Sequence, residues 1–193
     1  MVSVIRTAAR VQEVLDRHRW RYCFIGGVAV QKWGQPRFTQ DVDLTIFTGF
    51  GGEEQVIDAL LASFKPRIRA AREFAIQNRV LLLRTRDGVD LDVSCGAFPF
   101  ENAAVTRARK VQVIPGVRLR LCTAEDLIVY KAFAGRPIDW MDVESIIAKQ
   151  RRKKLDWRYI QVQLKPLAEL KEDRQIVPQL NDLRRIVETD DPV

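Results

Sequence analysis

The chain has 193 residues, 47% of them hydrophobic and 30% charged, which is ordinary globular composition with enough apolar material for a sizeable core. Its net charge of +7 favours polyanionic partners through long-range attraction to phosphates. Three scattered cysteines without a CxxC pair, and one histidine, argue against a Cys/His zinc site and suit a reducing, cytoplasmic setting. The N-terminus carries Arg6, Arg10 and Glu13 among its apolar residues, unlike a signal peptide, and no apolar run approaches the ~20 residues of a membrane span.

Val4, Ala8, Val11 and Leu15 recur at helical spacing and predict a helix over 3–18. "YCFI" (22–25) reads as a buried strand that stops at Gly26-Gly27, and "VAVQKW" as a short helix opening at that turn. "DVDLTIF" (41–47) alternates, with Asp41, Asp43 and Thr45 on one face and Val42, Leu44 and Ile46 on the other. Residues 53–64 read as a helix. "RVLLLRT" and "VDLDVS" flank Asp87-Gly88, a strong hairpin signal, and a second hairpin turns at Pro115-Gly116 between "VQVI" and "VRLRL". The 3.6-residue period then takes over. Thr123 and Asp126 resemble a capping box ahead of a helix that Gly135 ends, and Pro137 opens the next. Helices follow over 139–150, over 155–171 with a break near Pro166, and over 179–187; "ETDDPV" reads as a frayed end. The organisation is a mixed α/β part over 1–121 and a helical part over 122–193, with no Pro/Gly-rich linker between them, so the two are expected to pack closely.

Asp41 and Asp43 pose an electrostatic problem. Two charges ~6 Å apart at an effective dielectric near 20 repel by roughly 2–3 kcal/mol. Water, an Arg or Lys, or a divalent cation could offset that. Asp90 and Asp92 again share one face of a strand. If that strand lies beside "DVDLTIF", three or four carboxylates converge, and hard oxygen donors in such a cluster suit Mg²⁺ or Mn²⁺. Gly26-Gly27 ends a strand and opens a helix, a geometry that lets backbone N–H groups approach an anion.

"GGVAVQKWGQPRFTQDVDL" resembles the signature of the nucleotidyltransferase superfamily, which includes DNA polymerase beta and kanamycin nucleotidyltransferase: a glycine turn, a spacer, then a DxD strand. "LDV" at 91–93 resembles its third-carboxylate strand. "TAEDLIVYKAFAGRPIDWMDV" resembles the helical segment of the AbiEii-type toxin branch. The resemblance covers roughly residues 20–147. It implies an α+β nucleotidyltransferase fold: a mixed, mostly antiparallel sheet with flanking helices, then a C-terminal helical part. It implies an enzyme that moves a nucleoside monophosphate from an NTP such as ATP to RNA, a protein or a small molecule and releases pyrophosphate. On this sequence, Asp41, Asp43 and Asp92 would be catalytic and would hold two Mg²⁺ or Mn²⁺ ions, with Asp90 the rival for the third place. Gly26 and Gly27 would hold the β,γ-phosphates, with Arg37, Thr39 and Lys131 near the nucleotide. Many members carry Gly-Ser at the turn; Gly27 lacks that hydroxyl, a trait shared with the toxin branch. Arg37 is alternatively a partner of Asp41 or Asp43, and Lys131 alternatively a surface lysine. Arg136, Asp139 and Asp142 read as an ion-pair and capping network. The toxin branch also implies a cognate antitoxin. The basic clusters at 107–110, 118–120 and 150–154 suit RNA. A non-catalytic nucleotide- or RNA-binding module on the same fold is the competing reading. A metal-dependent phosphodiesterase ranks last, because such sites recruit histidines and His18 stands alone.

Overall fold

A computed structural model describes residues 2–151 and 155–189. The elements run α1 (Val2–Arg17), β1 (Tyr22–Phe24), α2 (Gly26–Trp33), β2 (Asp41–Phe47), α3 (Glu53–Ser63), β3 (Lys65–Pro66), α4 (Ala71–Asn78), β4 (Val80–Arg84), β5 (Asp90–Gly96), α5 (Pro99–Arg107), β6 (Arg109–Ile114) and β7 (Val117–Leu121). Four helices follow: α6 (Ala124–Ala134), α7 (Pro137–Gln150), α8 (Trp157–Leu170) and α9 (Ile176–Thr189). Two compact units emerge. One holds the chain up to Ala29 with Phe38–Cys122; the other holds Val30–Arg37 with the chain from Thr123 on.

The first unit is built on a seven-stranded sheet ordered β3-β4-β5-β2-β1-β7-β6. Neighbours pair antiparallel except at β1/β7 and β2/β5, which are parallel. The period-2 alternation of β2 and β5 decides which face is buried. Val42, Leu44, Ile46, Leu91 and Val93 are sealed from water, as are Leu81 and Leu83 on β4. Each such side chain contributes roughly 1.5–3 kcal/mol of transfer free energy. Amphipathic α1 packs on β2 and β7, burying Ile5, Ala8, Val11 and Leu15. On the opposite face α5 packs on β1 and β2, and Cys23 and Thr45 are buried at that end. Asp41 and Asp43, at the start of β2, stay half-buried.

Three elements escape the sequence pattern: β3, α4 and α5. Helix α5 buries only Phe100, Ala104 and Val105, too few to show a period, and its start is fixed by Glu101, whose carboxylate accepts from the Ala97 and Phe98 amides.

In the helical unit the Thr123 hydroxyl accepts from the Asp126 amide at 3.2 Å, and the Asp126 carboxylate accepts from the Thr123 amide at 3.1 Å. That is the capping box the sequence suggests. Gly135 closes α6 in the left-handed conformation and Pro137 opens α7. The expected break at Pro166 does not occur: α8 runs through it. Pro166 removes one donor and leaves the Val162 carbonyl without its helical partner, but both residues lie on the exposed side, where water can take that carbonyl. Within "QRRKK", residues 152–154 lie outside the described residues. So does 190–193 of "ETDDPV", while Glu188 and Thr189 still belong to α9.

Candidate active site

The site begins with a register. β5 lies beside β2, parallel, with Asp41 opposite Asp90 and Asp43 opposite Asp92. Parallel neighbours sit ≈ 4.8 Å apart, so all four carboxylates share one face at the end of the sheet that α5 leaves open. The sequence shows two alternations; only the pairing shows that they are in phase.

One cation among these acids has no motif to announce it. Arg67, just after β3, places one guanidinium nitrogen 3.0 Å from Asp90 Oδ2 and another 2.7 Å from Asp92 Oδ1. Its backbone amide donates to the Leu82 carbonyl, which anchors it to β4. Asp90 also takes Arg84 at 2.7 Å. Those two arginines, Arg84 foremost, outweigh partial burial and hold the Asp90 carboxyl below the usual range. Asp92 behaves oppositely. Burial pushes its carboxyl above the usual range; Arg67 opposes the push, and the charges of Asp41 and Asp90 add to it. Its Oδ1 is buried and makes no aligned hydrogen bond even with Arg67 close by.

The glycine turn is packed against the acids. Gly26 has φ +55°, and a Cβ there would lie 2.0 Å from Asp43 Oδ2. A Cβ on Gly27 would lie 2.4 Å from Thr39 Oγ1. The Thr39 hydroxyl in turn donates to Asp41 Oδ1 at 2.9 Å. Gly26, Gly27, Thr39, Asp41 and Asp43 therefore form one contiguous cluster. Thr39 occupies the space that a serine side chain at 27 would need.

Two expected site residues, Arg37 and Lys131, belong to the helical unit. Arg37 forks onto Asp142, Nε to Oδ1 at 2.7 Å and a terminal nitrogen to Oδ2 at 2.8 Å, where the sequence had offered Asp41 or Asp43. Lys131 is no surface residue: its side chain is 6% exposed, with Nζ 2.7 Å from Asp139 and 2.9 Å from Asp142. Arg136 adds a 2.6 Å contact to Asp139. The sequence reads Arg136, Asp139 and Asp142 as an ion-pair and capping network; what it leaves out is that Lys131 and Arg37 join it.

The four acids suit a hard divalent cation. Asp92 Oδ1, buried, without an aligned hydrogen bond and flanked by two further negative charges, has only the Arg67 guanidinium to offset it, and such an ion would add the rest of the positive charge. Yet among the described residues no three His, Cys, Asp or Glu side chains stand as a ready-made metal cage. Arg67 lies among them and supplies part of that charge. Arg67→Gln should therefore raise the affinity for Mn²⁺, titrated calorimetrically without nucleotide, by roughly tenfold, the equivalent of one lost partly exposed ion pair. An unchanged affinity would show that the guanidinium does not compete with the ion.

Among solved structures the chain is similar to the antibiotic-resistance factor ANT(2'')-Ia, with a TM-score of 0.53 and 15% identity over 94% of this chain and 97% of that one. An antigenic nucleotidyltransferase-like protein from Paracoccidioides brasiliensis (TM-score 0.48, 17% identity, 94% and 92% covered) scores lower. So does the lincosamide antibiotic adenylyltransferase LnuA in its lincomycin-bound form (0.49, 14%, 71% and 92%). No protein-family model matches the sequence, and no curated protein matches it. Among the described residues no helix is long and apolar enough to cross a membrane. With a glycine turn packed on a DxD strand and an acidic parallel neighbour, the chain has the nucleotidyltransferase fold.

Proposed function

We propose that the protein is a nucleotidyltransferase that moves a nucleoside monophosphate from an NTP to an acceptor hydroxyl, with the α/β part as its catalytic domain. The carrying observation is the in-register pairing of Asp41–Asp43 with Asp90–Asp92 beside a glycine turn in direct contact with Asp43. The triphosphate would sit at the N-terminus of α2, where the backbone of Gly26 and Gly27 has no side chain to bar its approach. Asp41, Asp43 and Asp92 would hold Mg²⁺ or Mn²⁺, two ions in the full site, and the metal would supply counter-charge to the phosphates when bound. Asp92 is favoured over Asp90 as the third carboxylate. Asp90 is already matched by two arginines, whereas Asp92 has a buried oxygen with no aligned hydrogen bond that a cation would take. The acceptor oxygen then bonds to the α-phosphorus, the bond to the β-phosphate oxygen breaks, and pyrophosphate leaves. Thr39 holds Asp41 in place through its hydroxyl.

The acceptor class, RNA, protein or small molecule, rests on chemistry outside this cluster. Membership of the AbiEii-type toxin branch, with a cognate antitoxin and a cytoplasmic setting, rests on the helical motif alone. Lys131 is assigned to the nucleotide only through that motif, and Arg37 only through its place ahead of the DxD; their contacts favour a role in holding the helical unit together.

Asp43→Asn is the direct test. With Mg²⁺ and the four labelled NTPs offered singly, the native protein should transfer label to RNA, protein or a small acceptor. The variant should lose activity by about a thousandfold, the scale of removing a principal electrostatic group from a transfer site. NTP binding with no turnover in the native protein would instead favour the non-catalytic module.

A further inference from the structure

We infer that a second surface of the α/β unit, formed by the end of α1 and the β6–β7 ribbon, binds a single-stranded polynucleotide. At the end of α1 the chain turns sharply: the Arg19 amide donates to the Asp16 carbonyl, the Trp20 amide to the Leu15 carbonyl, and Arg19 takes φ 57°. That turn brings His18 and Trp20 together as a parallel pair, centroids 4.2 Å apart and planes 8° apart. His18 is exposed and Trp20 partly so. Two flat rings already stacked at the surface offer a ready face for a third.

The charge around them is mostly positive. Across β6–β7, Lys110 stands opposite Arg120 and Gln112 opposite Arg118, so three cations project from one side of the ribbon. Like charges directly opposite on a sheet are destabilising, and these three are only partly offset: Arg118 donates to the Lys110 carbonyl at 2.8 Å and Arg120 lies over the Tyr22 ring, neither contact supplying a negative charge. Asp16 meets Lys110 at 2.7 Å but also accepts from the Tyr22 hydroxyl at 2.7 Å, and so offsets only part of the charge. Arg21 donates to the Thr106 hydroxyl at 2.7 Å, and Arg109 donates to the Thr106 carbonyl at 3.2 Å. Arg19 makes no ion pair among the described residues.

Blunting the edge strand β6 against aggregation would need only one or two of these charges, and no aromatic pair. Cations that follow a phosphate backbone, interleaved with a stacking platform, are the features that hold unpaired bases. A duplex would present the phosphates but keep its base faces stacked inside, so the platform selects single strands. This inference does not depend on nucleotidyl transfer: the strand is bound here whether or not it is the acceptor.

The test is fluorescence anisotropy with labelled oligo(U) and oligo(dT), with neither NTP nor metal, so its outcome is separate from that of any transfer assay. Single strands should bind with log K falling against log salt at a slope of about −3, for roughly four phosphate contacts. Trp20→Ala should weaken binding about tenfold and leave the slope unchanged, while Trp20→Phe, which keeps a ring, should retain most of the affinity. Lys110→Gln with Arg118→Glu should lower both affinity and slope. Arg158→Glu on α8, a control of the same sign, should change neither. Tighter binding of oligo(U) would identify the ribose as part of the target; equal binding would identify backbone and base faces alone. The inference is overturned if neither strand binds at low salt, if duplex binds as tightly as single strand, or if Trp20→Ala and the Lys110→Gln/Arg118→Glu variant both bind as the native protein does.

Discussion

Gly26→Ala should lower the unfolding free energy by about 2–4 kcal/mol and abolish NTP binding. Two separate effects combine. The backbone at 26 has φ +55°, where any Cβ is strained by ~1 kcal/mol or more. The added methyl would also lie 2.0 Å from Asp43 Oδ2, so either the turn or the carboxylate must move, at a further 1–3 kcal/mol. Gly88→Ala separates the two. Gly88 has φ +81° but nothing within 4 Å of its would-be Cβ, so only the strain applies. Urea unfolding should rank the variants Gly26→Ala, Gly88→Ala, native, in rising stability. NTP titration should show loss only for Gly26→Ala. Equal stability losses in both variants would mean that the Asp43 contact carries no constraint.

Lys131→Met should cost about 3–5 kcal/mol. The ammonium is almost fully buried between Asp139 and Asp142, and removing it leaves two buried carboxylates facing each other with only Arg37 and Arg136 to hold them. Combining it with Asp139→Leu should recover part of the loss, because the second change removes an orphaned charge. If Lys131 acts only on the nucleotide, the melt would be unchanged and KM for NTP would rise instead. The same network predicts a pH response. Burial works against ionised Asp139, but Arg136 and Lys131 outweigh it; burial works against ionised Asp142, but Arg37 and Lys131 outweigh it. Both carboxyls therefore titrate below their unfolded value of about 3.9. Their contribution is fully present above that pH and is lost as pH falls through the folded values. Acid unfolding of the native protein should steepen below about pH 4, and the Asp139→Leu variant should show a shallower loss there.

What the sequence made legible was local. "DVDLTIF" and "VDLDVS" display their alternation because a strand has a strict period of two, and the Asp87-Gly88 turn announces itself. The capping box at Thr123 is readable for the same reason: its partners lie within one turn. Arg67 was invisible because it sits in an irregular stretch between a two-residue strand and a helix, and it meets Asp92 only after β4 and β5 have paired. The burial of Lys131 was hidden for a related reason. The resemblance puts it near the nucleotide, with a surface lysine as the alternative, and it is the acids of α7 that make its burial tolerable. Helices α4 and α5 bury two and three side chains respectively, so they leave almost no periodic trace. The sequence pattern thus reported which residues could act. The pairing of strands decided which of them meet.

The in-phase pairing of β2 and β5 also limits how this protein can vary. Val42, Leu44, Leu91 and Val93 seal the core with the same alternation that turns Asp41, Asp43, Asp90 and Asp92 outward. A one-residue insertion in either strand would bury acids and expose aliphatics together. Loops and exposed helix faces can change without touching this register, but the acidic row cannot shift by one position and leave a working interior. Heritable change at this site is confined to substitution, and the spacing of its acids is as fixed as the hydrophobic core.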